Sequence, residues 1–178
     1  WAGKHGSSQL NSPFTLQTDR LLLEHFSLDD CEFILQLLNE PSFIENIGDK
    51  GVRDLDGARD YLRNGPMASY LANGFGLFRV SLRQSGACIG MCGLISRENL
   101  EDVDIGYGFL PEFWGQGYAI ESARAVMDYA RKQLGLQRIV AVVSPGNAPS
   151  VKLLEKLGMQ HSGKIRMAEN EPEIDFFA

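Results

Sequence analysis

Two glycines, Gly115 and Gly117, stand between an apolar strand-like run, Val103 to Leu110, and a segment from Ile120 to Leu134 whose apolar residues recur at helical spacing. A strand that turns through Gly-x-Gly into a helix leaves the chain few options. Glycine takes left-handed backbone angles at little cost, so the linking peptide curls until several N–H groups face one point. The N–H groups of the helix's first turn and the positive end of its dipole are aimed at the same place. The stretch Trp114, Gly115, Gln116, Gly117, Tyr118 and Ala119 therefore reads as a site for an anion, a phosphate above all. A tight turn whose glycines serve only geometry is the competing reading.

The rest of the chain is patterned to carry that turn. Phe14 to His25, with Leu16, Leu21 and Leu23, reads as a first strand. Asp29 and Asp30 stand where helix starts collect acids, and Phe33, Ile34, Leu37 and Leu38 follow at helical spacing. A second helix is expected from about Asp54 to Arg63, with Gly65-Pro66 breaking it before a short helical turn through Tyr70 and Leu71. Gly76 to Leu82 and Ala87 to Ile95 read as strands joined by a tight turn at Gln84-Ser85-Gly86. After the polar connection Arg97 to Asp102, Val103 to Leu110 completes a three-strand meander. Gly106 and Gly108 interrupt that third strand, the mark of a bulge or of a ligand lying close to backbone. Beyond the loop, Ile120, Ala123, Met127, Ala130 and Leu134 make the buried stripe of a crossover helix that Gly135 ends. Arg138 to Val143 is the strand to which it returns, parallel to the strand before the loop. Ser144-Pro145-Gly146 then turns the chain into a helix from about Asn147 to Gly158, and Met159 to Ile165 and Ile174 to Phe177 are the last strands. No repeat, low-complexity tract or linker divides the chain. Its 178 residues, 44% hydrophobic, suffice for one folded unit spanning about 13–178.

Charge narrows the partners. The formal net charge is -6 with no long basic run, so the electrostatic attraction that drives nucleic-acid binding is missing, and no nucleic-acid partner is expected. An anion held here is held by local dipoles. No eighteen apolar residues run together, so no membrane partner is expected either. The three cysteines include no Cys-x-x-Cys pair, which suits reduced thiols in a cytoplasmic protein better than a disulfide or a metal set. The first twelve residues lack an initiator Met and an apolar core. They read as a loose or artificially appended terminus, not as a signal peptide.

Taken in order, the meander, the Gly-x-Gly turn opening a helix, the strand after it, Asn147-x-x-Ser150 and Glu155-Lys156-Leu157-Gly158-Met159 resemble the GNAT N-acetyltransferases. Within them the resemblance is to the RimJ/RimL-type branch, which acetylates ribosomal-protein N-termini. It runs from about Phe14 to Phe177 and is densest between Asp104 and Gly158. It implies an α/β (α+β) GNAT fold: a mixed, mostly antiparallel central sheet, splayed between two parallel strands and flanked by helices. It also implies acetyl-CoA as cosubstrate, direct acetyl transfer to a primary amine, no metal, no covalent enzyme intermediate, and a monomer or homodimer. The family holds its coenzyme with a Gln/Arg-x-x-Gly-x-Gly/Ala loop. Gly117 and Ala119 fill the last two marked places, while Trp114 stands where Gln or Arg is usual. The amides of Gly115, Gln116, Gly117, Tyr118 and Ala119 remain as donors, but one long polar side chain is lost.

The same resemblance assigns roles. In the family the strand before the loop offers its peptide groups to the pantetheine arm and the thioester oxygen. That task falls on the backbone of Phe109 and Leu110, with an amide between Phe109 and Pro111 facing the oxyanion, although Pro111 has no N–H. Asn147 corresponds to the asparagine that contacts the coenzyme, and Ser150 to the serine proposed as acid for the departing thiolate. Leu154 occupies the place where many members carry a tyrosine. Helix capping accounts for Asn147 and Ser150 equally. A thiol with an ordinary pKa of roughly 8 to 9 leaves with help from a weak acid or an ordered water.

Two carboxylates are candidates for the base that deprotonates the attacking ammonium. Glu169 follows Ser150 by nineteen residues, as a glutamate does in the RimL-like branch, and Asp104 stands where the family often carries Glu. A surface salt bridge is the alternative for each, and Asp175 is a further candidate for contacting the amine. His25 and His161 suit packing or solvent, Tyr107 and Phe113 the core or the pocket wall, and Lys152 and Lys156 solvent or the nucleotide phosphates. The acceptor stays open between a protein N-terminus and a small amine, such as a polyamine or an aminoglycoside, drawn by an acidic groove. A non-catalytic acyl-CoA sensor is the reading from another class, supported by Leu154 alone.

Overall fold

In the computed structural model, which describes residues 14–178, the run from Phe14 to His25 is two strands, β1 (Thr15–Gln17) and β2 (Leu21–His25). They pair antiparallel with Leu16 opposite Leu23. Thr18, Asp19 and Arg20 make the turn: Thr18 N–H donates to the Leu21 carbonyl at 3.0 Å and Leu21 N–H to Thr18 Oγ1 at 3.0 Å. A hydroxyl that answers a nearby backbone N–H is how threonine makes turns, and the leucines on either side mask it in the sequence. The expectation for the first twelve residues lies outside the described part of the chain.

Ser27 and Asp30 form a capping box ahead of α1 (Cys31–Leu38). The next helix, α2 (Pro41–Asn46), has Pro41 in its first turn and is too short to announce itself by periodicity. The Asp54 side chain caps α3 (Leu55–Leu62) by accepting from Gly57 N–H. Gly65-Pro66 does not break the chain's helical course: Arg63–Met67 forms a π turn that runs on into α4 (Ala68–Asn73). The wider π turn changes which carbonyl each N–H meets, and so passes a proline whose missing N–H would interrupt an α-helix.

The meander forms as expected from β3 (Leu77–Leu82), β4 (Cys88–Ile95) and β5 (Val103–Phe109). Its bulge, however, lies between Val80 and Ser81, while the β4–β5 register runs unbroken. Gly108 is small for a different reason: a Cβ there would come within 3.0 Å of the Phe43 ring on α2. Then follow α5 (Tyr118–Lys132), β6 (Ile139–Val143), α6 (Ala148–Lys156), β7 (His161–Ile165) and β8 (Ile174–Phe177). The eight strands make one mixed sheet in the order β1-β2-β3-β4-β5-β6-β8-β7. Among the described residues its only parallel contact is β5 with β6, as the crossover pattern predicts.

Each face of the sheet carries a core. On one, α5 buries Ala123, Val126, Met127 and Ala130 against Leu21, Phe78 and Phe109, with Leu154 of α6 and Phe177 of β8. On the other, α1 to α3 bury Ile34, Leu37, Phe43 and Leu62 against Met91 and Leu110. Fully burying one large apolar side chain is worth about 1.5–3 kcal/mol. The consecutive residues Phe109 and Leu110 thus pin the end of β5 from both sides, and the start of α5 is fixed in space.

Candidate active site

The sheet comes apart where the loop begins. Parallel pairing of β5 with β6 is limited to Val103 with Ile139 and Asp104 with Val140. On its other side β5 pairs with β4 along its length, and Leu110 N–H continues that ladder to the Ile89 carbonyl at 2.9 Å. Peptide groups alternate in direction along a strand. Those of Tyr107 and Phe109 are therefore turned away from β4, into the gap that β6 leaves as it diverges. Among the amides expected near the oxyanion, Leu110 N–H is spent on Ile89, Pro111 has none, and Phe109 N–H faces the gap.

The gap runs down to the loop. Gly115 and Gly117 take φ values of 74° and 82°, and Gly117 is the N-cap of α5 with no side chain capping it. The first-turn amides of this 15-residue helix have no intrahelical acceptor, which leaves them for an anion. Trp114 is 52% exposed, and its indole Nε1–H donates to the Phe109 carbonyl at 3.0 Å. The tryptophan thus ties the strand end to the loop. A residue the sequence reading passed over, Arg20, reaches the loop from the β1–β2 turn and donates to the Gln116 carbonyl at 2.9 Å.

At the other end the gap opens into a cleft of about 990 Å³ lined by Asp104, Tyr107, Asn147 and Ser150, with Phe43, Lys50 and Tyr61 from the helical side. Asn147 is the N-cap of α6, and its Oδ1 accepts from Ser150 N–H at 3.4 Å. Capping uses the serine's backbone, so its hydroxyl is available for other work. That side chain meets the hydroxyl of Tyr107, which burial pushes up to about pKa 12 against the pull of the Ser150 contact. Leu154, where many relatives in the resembled family carry tyrosine, is 1% exposed in the core.

The carboxylates separate clearly. Asp104 is 1% exposed at the cleft, and its Oδ1 accepts from Arg97 Nε at 3.0 Å. Burial raises its pKa above the ordinary value, with the Arg97 charge and hydrogen bond opposing. Glu169 is exposed on the β7–β8 connection and is absent from the cleft wall; Met167 and Glu171 of the same connection line it. Asp175, on β8, accepts through Oδ1 from His161 Nε2–H at 2.9 Å. His25 is a packing residue, stacked on Tyr70 at 3.8 Å between ring centres. The charged side chains of the cleft are Lys50, Arg97, Asp104 and Glu171, so its wall is balanced and lacks the acidic excess that the net charge left open. Lys50 is pushed below its ordinary pKa by burial and by Arg97.

Tyr107, expected in the core or the pocket wall, lies on the cleft, whereas Arg97 and Tyr61 carry no sequence motif that marks them for it. They are brought there by the strand register and by the helices laid across the sheet.

Residues 20–160 match the model of the acetyltransferase (GNAT) domain family. The chain is 33% identical over 156 residues to an uncharacterized N-acetyltransferase, p20, of Bacillus licheniformis, covering 85% of each. Among solved structures it is similar to an acetyltransferase from Agrobacterium tumefaciens, with a TM-score of 0.79 at 26% identity over 93% of this chain and 94% of that one. It also shares its fold with RimL, a ribosomal L7/L12 alpha-N-protein acetyltransferase in complex with coenzyme A. There the TM-score is 0.81 at 15% identity, over 92% and 96% of the two chains.

Proposed function

The chain belongs to the GNAT acetyltransferase family and is an N-acetyltransferase; from that premise we propose that it moves the acetyl group of acetyl-CoA to a protein or peptide N-terminal amine. One observation carries the reading: the β5–β6 gap leads from the uncapped start of α5 to a cleft holding a buried carboxylate and a hydroxyl pair.

The amides of Gly115 to Ala119 receive the pyrophosphate, and the peptide groups of Tyr107 and Phe109 hydrogen-bond the pantetheine arm as a further strand would. The Phe109 carbonyl is occupied by Trp114, so Phe109 contributes its N–H, placed for the thioester oxygen as charge develops there. The amine enters from the cleft and attacks the acetyl carbon. Asp104 takes the ammonium proton, a role its raised pKa suits. As the C–S bond breaks, Ser150 gives its proton to the thiolate and takes up the second proton that the nitrogen sheds, with the Tyr107 hydroxyl beside it. Asp104 is preferred to Glu169 as base because it lies on the cleft and Glu169 does not.

The balanced wall favours an N-terminal amine over a polyamine, whose several positive charges would meet Lys50 and Arg97. RimL, of the same fold, is described as acting on such a protein N-terminus. The test is thiol release from acetyl-CoA across N-terminal peptides, polyamines and aminoglycosides. The expected result is the highest kcat/KM with a peptide. A polyamine or aminoglycoside that outperforms every peptide overturns the acceptor, and tight acetyl-CoA binding with no turnover on any amine points to a sensor instead.

A further inference from the structure

The loop lacks a polar side chain at Trp114, yet a long cationic one lies beside it. We propose that Arg20 is a positioning residue of the coenzyme's phosphate site, acting from the β1–β2 turn in place of the loop's own missing Gln or Arg. The inference rests on acetyl-CoA as donor.

Arg20 brackets Gly117. Ahead of it, Nη1 donates to the Gln116 carbonyl at 2.9 Å; after it, the guanidinium lies 4.4 Å from the Tyr118 ring centre, and Nε donates to Glu121 Oε1 at 2.7 Å. Two consequences follow for an incoming phosphate. In a trans peptide the carbonyl and the next N–H point in opposite directions. Drawing the Gln116 carbonyl outward to Arg20 therefore turns the Gly117 N–H the other way. The second consequence concerns charge. Glu121 sits in the first turn of α5, where a carboxylate competes with a phosphate for the helix dipole.

That carboxylate is fully engaged. Besides Arg20 Nε on Oε1, its Oε2 accepts from Thr18 Oγ1 at 2.6 Å and from Arg20 N–H at 3.1 Å. Burial alone would raise the Glu121 pKa, but Thr18 and Arg20 together hold it below the ordinary value, so it is ionised and neutralised by Arg20. The same turn that the sequence disguises as continuous strand thus both aims an amide and removes a repulsion.

The test compares donors with and without phosphates. Arg20→Ala should weaken coenzyme A, measured by calorimetry, by about tenfold or more. It should also lower kcat/KM with acetyl-CoA far more than with S-acetyl-pantetheine, which lacks the pyrophosphate and nucleotide. Arg20→Lys should restore only part, because a lysine ammonium lacks the planar fork that holds two acceptors at once. Adding Glu121→Gln to Arg20→Ala should recover part of the affinity by removing the exposed charge. Equal losses with both donors would reduce Arg20 to a support of the fold, and unchanged coenzyme A affinity would overturn the proposal outright. A wild-type protein with no affinity for coenzyme A would instead remove the donor assignment on which it rests.

Discussion

The two ends of the β5–β6 gap are built by opposite means. The proposed phosphate end is a short stretch of consecutive residues offering backbone groups, fastened by one arginine and one tryptophan. The acceptor end is a cleft walled by side chains from α2, α3, β5, α6 and the β7–β8 connection, each placed by long-range packing. A site made of backbone depends on conformation and tolerates most side-chain changes; a site made of side chains fails one residue at a time. The contrast predicts which substitutions act on chemistry and which on coenzyme binding.

The largest effect is expected at the acceptor end. Asp104→Asn should lower kcat by about a hundredfold or more, the usual range for removing a general base, with little change in coenzyme affinity. Because burial holds the Asp104 pKa above its ordinary value, the wild-type rate should rise with pH as this carboxylate ionises. The Asn variant should lack that acid limb, and its persistence would break the assignment. Next comes Gly117→Val, at a φ of 82° that a β-branched residue adopts only with strain. Calorimetry should register a loss of coenzyme A affinity of about a hundredfold, the product of lost helix-start geometry and blocked access. Wild-type affinity would mean that the loop is only a turn.

Ser150→Ala is a smaller and sharper probe, since the hydroxyl is the group proposed for the chemistry while the backbone N–H caps α6. Turnover should fall about tenfold while coenzyme affinity holds, as general-acid help counts for little with a good leaving group. Tyr107→Phe should give a weaker version of the same pattern. Equal losses in turnover and affinity would place both residues on the binding side.

The smallest effect is on stability, and it samples the acceptor end. Burial pushes Tyr61 and Tyr107 from 10.0, and Cys92 from 9.0, up to about 12. The folded protein holds these protons longer than the unfolded chain does. Their contribution is therefore complete below about pH 9 and is lost as pH climbs from there to about 12. Denaturant titrations across that window should give falling stability, with a shallower slope in Tyr61→Phe and in Tyr107→Phe. A flat profile would mean that neither phenol is buried in solution.

The same division decides what could be read from the chain alone. The meander, the crossover and the Gly-x-Gly helix start are local patterns, and the structure places them within a residue or two of expectation. The β1–β2 turn escaped because apolar residues flank it closely, although the odd step from Leu16 to Leu21 already breaks the alternation, and α2 because six residues hold too little of a helical period. Gly65-Pro66 misled because the rule for α-helices does not cover a π turn. Ser150, Asn147 and Asp104 come together at the cleft, whereas Glu169, chosen by spacing from Ser150, stands on an exposed turn two residues from the cleft-lining Glu171. Spacing across a connecting turn does not determine which residue faces inward. Arg20 was out of reach for a related reason: its partners lie some hundred residues away, at |i−j| of 96 to 101.

An eight-stranded sheet normally hides its edges at the two outer strands. Here the parting of β5 from β6 creates a third, interior edge, held open by the packed helices on either face. Such an edge presents unpaired peptide groups as a binding template. The proposed occupant is the thioester arm of the donor. Filling that edge also links folding to donor supply: a ligand at a hundred times its dissociation constant adds about 2.7 kcal/mol to stability. On the proposed donor site, the same unpaired backbone would thus make the folded population a gauge of how much acyl donor surrounds it.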